Sequence, residues 1–194
     1  MKKLNHISHC VAAGCFLALV PLAARAQHAA CAVSGIQRRV IRKTELSSLE
    51  AAQSKPMTSG NAIVLAHPTN SILVTTGTGD DNESYRIDGI RNPTIVIHAG
   101  ASVKILFVNI DGDLPHDLRV GDVKPPDTAG TYGSVRLERA RDDSYSAEEF
   151  QLQMPMPGSY NYFCSVGSHA KNGMVGRIVV LKPNASMSEM LRAK

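Results

Sequence analysis

From Ala62 to Leu181 the chain is a succession of short apolar or β-branched runs, at 62–66, 72–76, 94–98, 103–110, 116–120, 133–137, 148–152, 158–164 and 174–181. Turn-forming clusters separate them, among them Pro68-Thr69-Asn70, Asp88-Gly89, Ala99-Gly100, Asp111-Gly112-Asp113, Pro125-Pro126-Asp127 and Met154-Pro155-Met156-Pro157-Gly158. Runs of four to eight residues with no long helical pattern between them predict an all-β chain, an antiparallel sandwich or barrel. In Gly158-Ser159-Tyr160-Asn161-Tyr162 the side chains alternate, so both tyrosines are expected on one face of a strand. Gly77-Thr78-Gly79-Asp80-Asp81-Asn82 has the glycines of a phosphate loop but lacks the Lys-Ser/Thr pair and a following helix, so it reads as a surface turn.

The residues before Ala62 are of another kind. Lys2 and Lys3, the apolar run Cys10–Ala24 and the ending Ala24-Arg25-Ala26 have the order of a secretory signal, with cleavage expected before Gln27. Pro21 interrupts the run, which is short for a spanning helix; an uncleaved anchor facing the periplasm is the alternative. The chain carries 21 basic and 17 acidic side chains, and loss of Lys2, Lys3 and Arg25 lowers the basic count to 18, near neutrality. Together with the mixed signs of 136–149, expected to be a solvated loop, this argues against nucleic-acid binding. Residues 27–60 are the least regular part, an extension in which Thr44–Gln53 is suited to a short surface helix. Export would leave Cys31 and Cys164, too few for a disulfide framework, though a pairing between them is open.

The chemistry concentrates between two strong strand signals, in Tyr162-Phe163-Cys164-Ser165-Val166-Gly167-Ser168-His169-Ala170-Lys171-Asn172-Gly173-Met174. Four residues separate Cys164 from His169 and four separate His169 from Met174, while His116 lies upstream in Leu114-Pro115-His116-Asp117-Leu118. Two imidazoles and a thiolate with a weak axial thioether are the donor set of a type 1 copper site. The soft thiolate favours Cu(I), the imidazoles suit both oxidation states, and a long thioether contact disfavours Cu(II). Structural zinc prefers closed Cys/His ligation without thioether. A binuclear copper centre would need a second cysteine in this loop. His28, His67 and His98 are read as turn or terminal residues, and Met154 and Met156 as packing residues.

The Cys164–His169–Met174 spacing, the strand Gly176-Arg177-Ile178-Val179-Val180 and the stretch from Asn92 to Val103 leading into His116 resemble the cupredoxins, the type 1 blue-copper family. The resemblance implies a Greek-key β-sandwich over about 61–182, preceded by the extension 27–60 and followed by a tail, 183–194. It further implies one copper ion on His116, Cys164, His169 and Met174, cycling between Cu(I) and Cu(II). The implied role is a monomeric, non-enzymatic periplasmic electron carrier between redox proteins such as a c-type cytochrome and a terminal oxidase, without a small-molecule substrate. Docking would occur at the His169 edge among the uncharged Val166, Gly167, Ala170 and Val175. A periplasmic copper carrier or assembly factor is the other function class. Asp117 stands where family members with this loop spacing usually have Ser, and 121–149 is more polar than their cover over the metal.

Overall fold

The computed structural model describes residues 32–53, 55–66, 69–134 and 136–193. The expected export signal, Cys31, His28 and His67 lie outside the described residues. In chain order the elements are β1 (Ala32–Arg42), α1 (Lys43–Ala52), β2 (Met57–Ser59), β3 (Ala62–Leu65), β4 (Thr69–Thr76), β5 (Tyr85–Ile87), β6 (Ile90–Arg91) and β7 (Thr94–His98). There follow β8 (Ser102–Asn109), β9 (Arg119–Gly121), β10 (Tyr132–Gly133), β11 (Ser144–Gln153), β12 (Gly158–Phe163), β13 (Val175–Leu181) and α2 (Met187–Arg192).

Two sheets form a Greek-key sandwich, with strand orders β1-β11-β8-β4-β5-β6 and β10-β9-β12-β13-β7-β3-β2. The sheets are mixed. Hairpin neighbours such as β12 and β13 are antiparallel, whereas β4 runs parallel to β8, and β7 runs parallel to both β3 and β13. The parallel pairs arise where the chain crosses between sheets, a connection that local turn signals do not encode.

Side-chain alternation explains the core. Ile63, Leu65, Ile95 and Ile97 point inward from one sheet and meet Ile72, Val74, Ile105 and Phe107 from the other. The intervening residues are apolar too, because both outer faces are partly covered. Leu73, Leu106, Val108 and Ile41 lie under Leu46 of α1, and Ala62, Val64 and Val96 lie under Met190 of α2. A strand buried on both faces reads as a continuous apolar run, as Ala62–Leu65 does. The short helix expected over 44–53 forms one residue earlier. Ser186 and Glu189 close a capping box that starts α2.

Two regions differ from their sequence reading. Residues 32–42, expected to be irregular, form a long strand paired with β11. As the edge of its sheet it buries only Ile41 well, so no alternation marked it. The expected solvated loop at 136–149 gives its last six residues to β11, and Glu148 is fully buried against Arg38. Met156, expected to pack, is exposed, while Met154 is in the core.

Tyr162 links this core to the metal-proximal end of β12. Its hydroxyl donates to the Pro93 carbonyl at 2.6 Å, and its ring lies over Gly176 on the paired strand. A Cβ at position 176 would sit 2.0 Å from the ring. Gly176→Ala is therefore expected to lower stability by about 2 kcal/mol or more, measured by urea unfolding of the metal-free protein, with a change under about 0.5 kcal/mol contradicting this packing.

Candidate metal centre

Two loops at one end of the sandwich supply the candidate ligands. The first, between β8 and β9, carries His116, whose backbone makes a two-way bridge to Leu137 (3.0 and 2.7 Å). Asn109, buried at the end of β8, holds this loop: its amide nitrogen donates to the carbonyls of Leu114 and Glu138, both at 3.0 Å, and its oxygen accepts from Thr76 and the Asp111 N–H. The second loop joins β12 to β13. It is closed by Cys164 N–H donating to the Met174 carbonyl (3.2 Å) and Met174 N–H donating to the His169 carbonyl (2.9 Å). Gly173, at φ 105°, makes the turn into Met174 in a conformation that side chains disfavour.

These connections bring His116, Cys164 and His169 together. Their Nδ1, Sγ and Nδ1 atoms form a triangle with sides of 3.8, 3.4 and 3.2 Å. All three residues are buried, and they are the one such donor group among the described residues. The point equidistant from the three atoms is about 2 Å from each, the scale of metal–nitrogen and metal–sulfur bonds. Met174 is fully buried, and its backbone bonds to both Cys164 and His169.

Surrounding groups fix the direction of each donor. Asp111 Oδ2 lies 2.9 Å from His116 Nε2, and both side chains are inaccessible. With Nε2–H donating to this carboxylate, the Nδ1 lone pair faces Cys164 and His169. Burial holds the His116 pKa below its ordinary value, while Asp111 opposes that shift.

Asp117 spans the two loops. Its carboxylate accepts from the Ser165 N–H at 2.6 Å and from the Ser165 hydroxyl at 2.5 Å, and its own N–H faces Cys164 Sγ at 3.5 Å. Arg119 Nε donates to it at 3.2 Å, and Tyr85 donates its hydroxyl to the Asp117 carbonyl at 2.5 Å. The carboxylate that replaces the usual Ser is thus fully hydrogen-bonded, with a neighbouring cation against its charge. Asn92 adds a tether, donating to the Gly173 carbonyl at 2.9 Å. The chain's own residues fit a soft, redox-active ion better than a hard one: two imidazole nitrogens and a sulfur converge in a dry site, and no carboxylate oxygen enters the triangle.

A model of the copper-binding plastocyanin/azurin family matches residues 90–181, which contain all four candidate ligands. The chain has the cupredoxin fold. Among curated relatives it is similar to rusticyanin of Acidithiobacillus ferrooxidans, 31% identical over 106 residues, covering 50% of this chain and 66% of the relative. Rusticyanin of Acidithiobacillus ferridurans is 30% identical, covering 50% and 54%. The match thus spans between about half and just under two thirds of these relatives' length. Among solved structures, reduced rusticyanin has a TM-score of 0.68 at 22% identity, covering 75% of this chain and all of that one. Rusticyanin from Thiobacillus ferrooxidans gives 0.67 at 21%, covering 75% and 97%. Both support the cupredoxin fold.

Of the candidate ligands, the structure gathers His116, Cys164 and His169 and places Met174 at the end of the same loop. Sequence reasoning did not single out Asp111, Asn109 or Tyr85. Asp111 lay in what read as an ordinary Asp-Gly-Asp turn, and only a polar residue closing an apolar strand hinted at Asn109. His98 bonds the Ala185 carbonyl at 2.9 Å, tying the tail to β7.

Burial pushes the Cys164 thiol up to about 12 despite the opposing Asp117 N–H. In the metal-free protein the thiol therefore keeps its proton well above neutral pH, and binding a metal as thiolate must release it. Copper affinity is expected to rise about tenfold per pH unit between about pH 7.5 and 9.5, read by competition with a chelator of known protonation. A pH-independent affinity over that range would contradict a buried thiol as the proton source.

Proposed function

We propose that this chain is a periplasmic type 1 copper protein that carries single electrons between redox proteins, such as a c-type cytochrome and a terminal oxidase, and is not itself an enzyme. The observation that supports it most directly is the convergence of His116 Nδ1, Cys164 Sγ and His169 Nδ1 in a buried site. A single copper ion there supplies a one-electron couple between Cu(I) and Cu(II).

The chain's own residues would do the rest. His116, Cys164 and His169 would hold the ion through two imidazole nitrogens and a thiolate, and Met174 would add a weak thioether donor. Asp111 keeps His116 in one tautomer. Asp117 and Ser165 keep the thiolate-bearing loop at a fixed distance from the His116 loop. Donors held this firmly need little rearrangement when charge changes, which suits electron transfer more than bond-making. His116, Cys164 and Met174 are fully enclosed, and only the His169 edge reaches the surface.

Exchange with a partner is proposed through the His169 edge. His169 is 6% exposed, the least enclosed of the four candidate ligands, and it is flanked by exposed Gly167 and half-buried Val166, Ala170 and Val175. These neighbours are uncharged, with exposed Lys171 beside them, and such a surface suits brief docking. Among the described residues no helix is long and apolar enough to cross a membrane.

Stopped-flow mixing of the Cu(II)-loaded protein with a reduced c-type cytochrome tests the reading. Rapid oxidation of the cytochrome with copper retained is expected. Copper loss to an acceptor without cytochrome oxidation would favour a copper-delivery role instead. Met174→Leu is expected to keep copper and raise the reduction potential, because the axial donor to Cu(II) is removed. An unchanged potential in redox titration would exclude Met174 as a ligand.

A further inference from the structure

Strand β1 closes one side of its sheet, paired with β11 on one flank; among the described residues no strand is hydrogen-bonded to its other flank, although β10 of the facing sheet lies close to it. Ser34–Val40 are all exposed, Ile36 to 54% and Val40 to 71%. Proteins usually blunt or cover such an edge, because its free backbone groups accept another strand. A bulge between Ser34 and Gln37 interrupts the pairing with β11, and beyond it Gln37–Arg42 resume a regular register. An open cleft of about 290 Å³ lies between this regular half and the segment 136–138, lined by Arg38, Arg39, Val40 and Arg136 and floored in part by Ser146 and Ala147 of the paired β11.

The charges in the cleft are unevenly matched. Arg38 Nε donates to the fully buried Glu148 at 3.3 Å, while the Arg38 side chain is 65% exposed, so one side of the guanidinium is anchored and the rest faces solvent. Arg136 is only loosely paired with Glu138, at 4.0 Å with both side chains more than half exposed. Arg39, and Arg42 just beyond it, form no ion pair among the described residues.

We propose that the β1 edge and its arginine cleft bind an extended, acidic segment of a partner protein by strand addition. Backbone hydrogen bonds would run along Gln37–Arg42; Arg39, with Arg136 in the same cleft, would read carboxylates on one face of the added strand, and the opposite face, smaller and uncharged, would pass Val40. Charge selects this occupant. A second copy of the chain paired through β1 would set arginines against arginines. The chain's own residues 1–31 contain no Asp or Glu, so they offer nothing to the guanidiniums. The inference stands on the edge and its charge, apart from the redox reading of the copper site.

The probe is a fluorescein-labelled ten-residue peptide alternating Glu and Thr, titrated into the reduced, copper-loaded protein, with a Lys-Thr peptide as control. Expected are saturable binding of the acidic peptide alone, amide shifts and slowed exchange confined to about residues 36–42 and 136–138, and weakening as salt rises. The double variant Arg39→Glu, Arg136→Glu, which leaves the Arg38–Glu148 pair intact, should weaken binding at least tenfold, while its visible copper spectrum, recorded after oxidation to Cu(II), is unchanged. Equal binding of both peptides, equal binding to the double variant, shifts elsewhere on the surface, or a dimer joined through β1 in sedimentation would each overturn the proposal. So would absence of binding, which would leave the arginines as guards against edge-to-edge aggregation.

Discussion

The metal centre depends on holding together two loops that start on different strands and have no covalent link. Asp117 does this. Its carboxylate takes both the N–H and the hydroxyl of Ser165, while its own N–H faces the Cys164 sulfur. A buried carboxylate needs every lone pair engaged and a counter-charge nearby. Here Arg119 supplies the charge and Ser165 supplies the donors. The same contacts that satisfy Asp117 therefore fix the separation between the His116 loop and the Cys164 loop.

A second buried carboxylate, Asp111, acts on the other side of His116 and decides which ring nitrogen is free. Asn109 holds the chain between these two acids by spanning carbonyls on both sides of the loop. The result is a set of donors that already converge before any ion is considered. The two imidazole Nδ1 atoms already stand 3.2 Å apart, close enough to share a proton or a single ion. The closely packed core beneath, from Tyr162 through Phe107 and Tyr85, gives this arrangement its rigidity.

Much of this was legible in the sequence, for identifiable reasons. The strands β7 and β8 announce themselves because they are largely buried on both faces and bounded by turns, and β13 because its apolar run alternates around one buried face. The candidate donors were legible because Cys164, His169 and Met174 share one loop, so their spacing survives as a linear motif. His116 was found because it sits alone among strand residues with the right partners downstream. What supports the ligands was not legible: Asp111 and Asn109 act through contacts set by the sandwich, and in the sequence they look like turn residues. β1 was missed because an exposed edge strand carries no apolar alternation, and the buried Glu148 because its burial depends on that same strand. The parallel pairings escaped prediction because crossovers between sheets leave no local signature.

The central claim is that this chain presents a preformed trigonal donor set of two imidazole nitrogens and one cysteine sulfur to a single copper ion. X-ray absorption at the copper edge, recorded on the oxidised and the reduced protein, measures this directly. The account predicts one sulfur and two nitrogen donors at short distance in both states, with little change between them. A first shell of nitrogen and oxygen alone, or loss of a ligand and a reorganised shell on reduction, would contradict it.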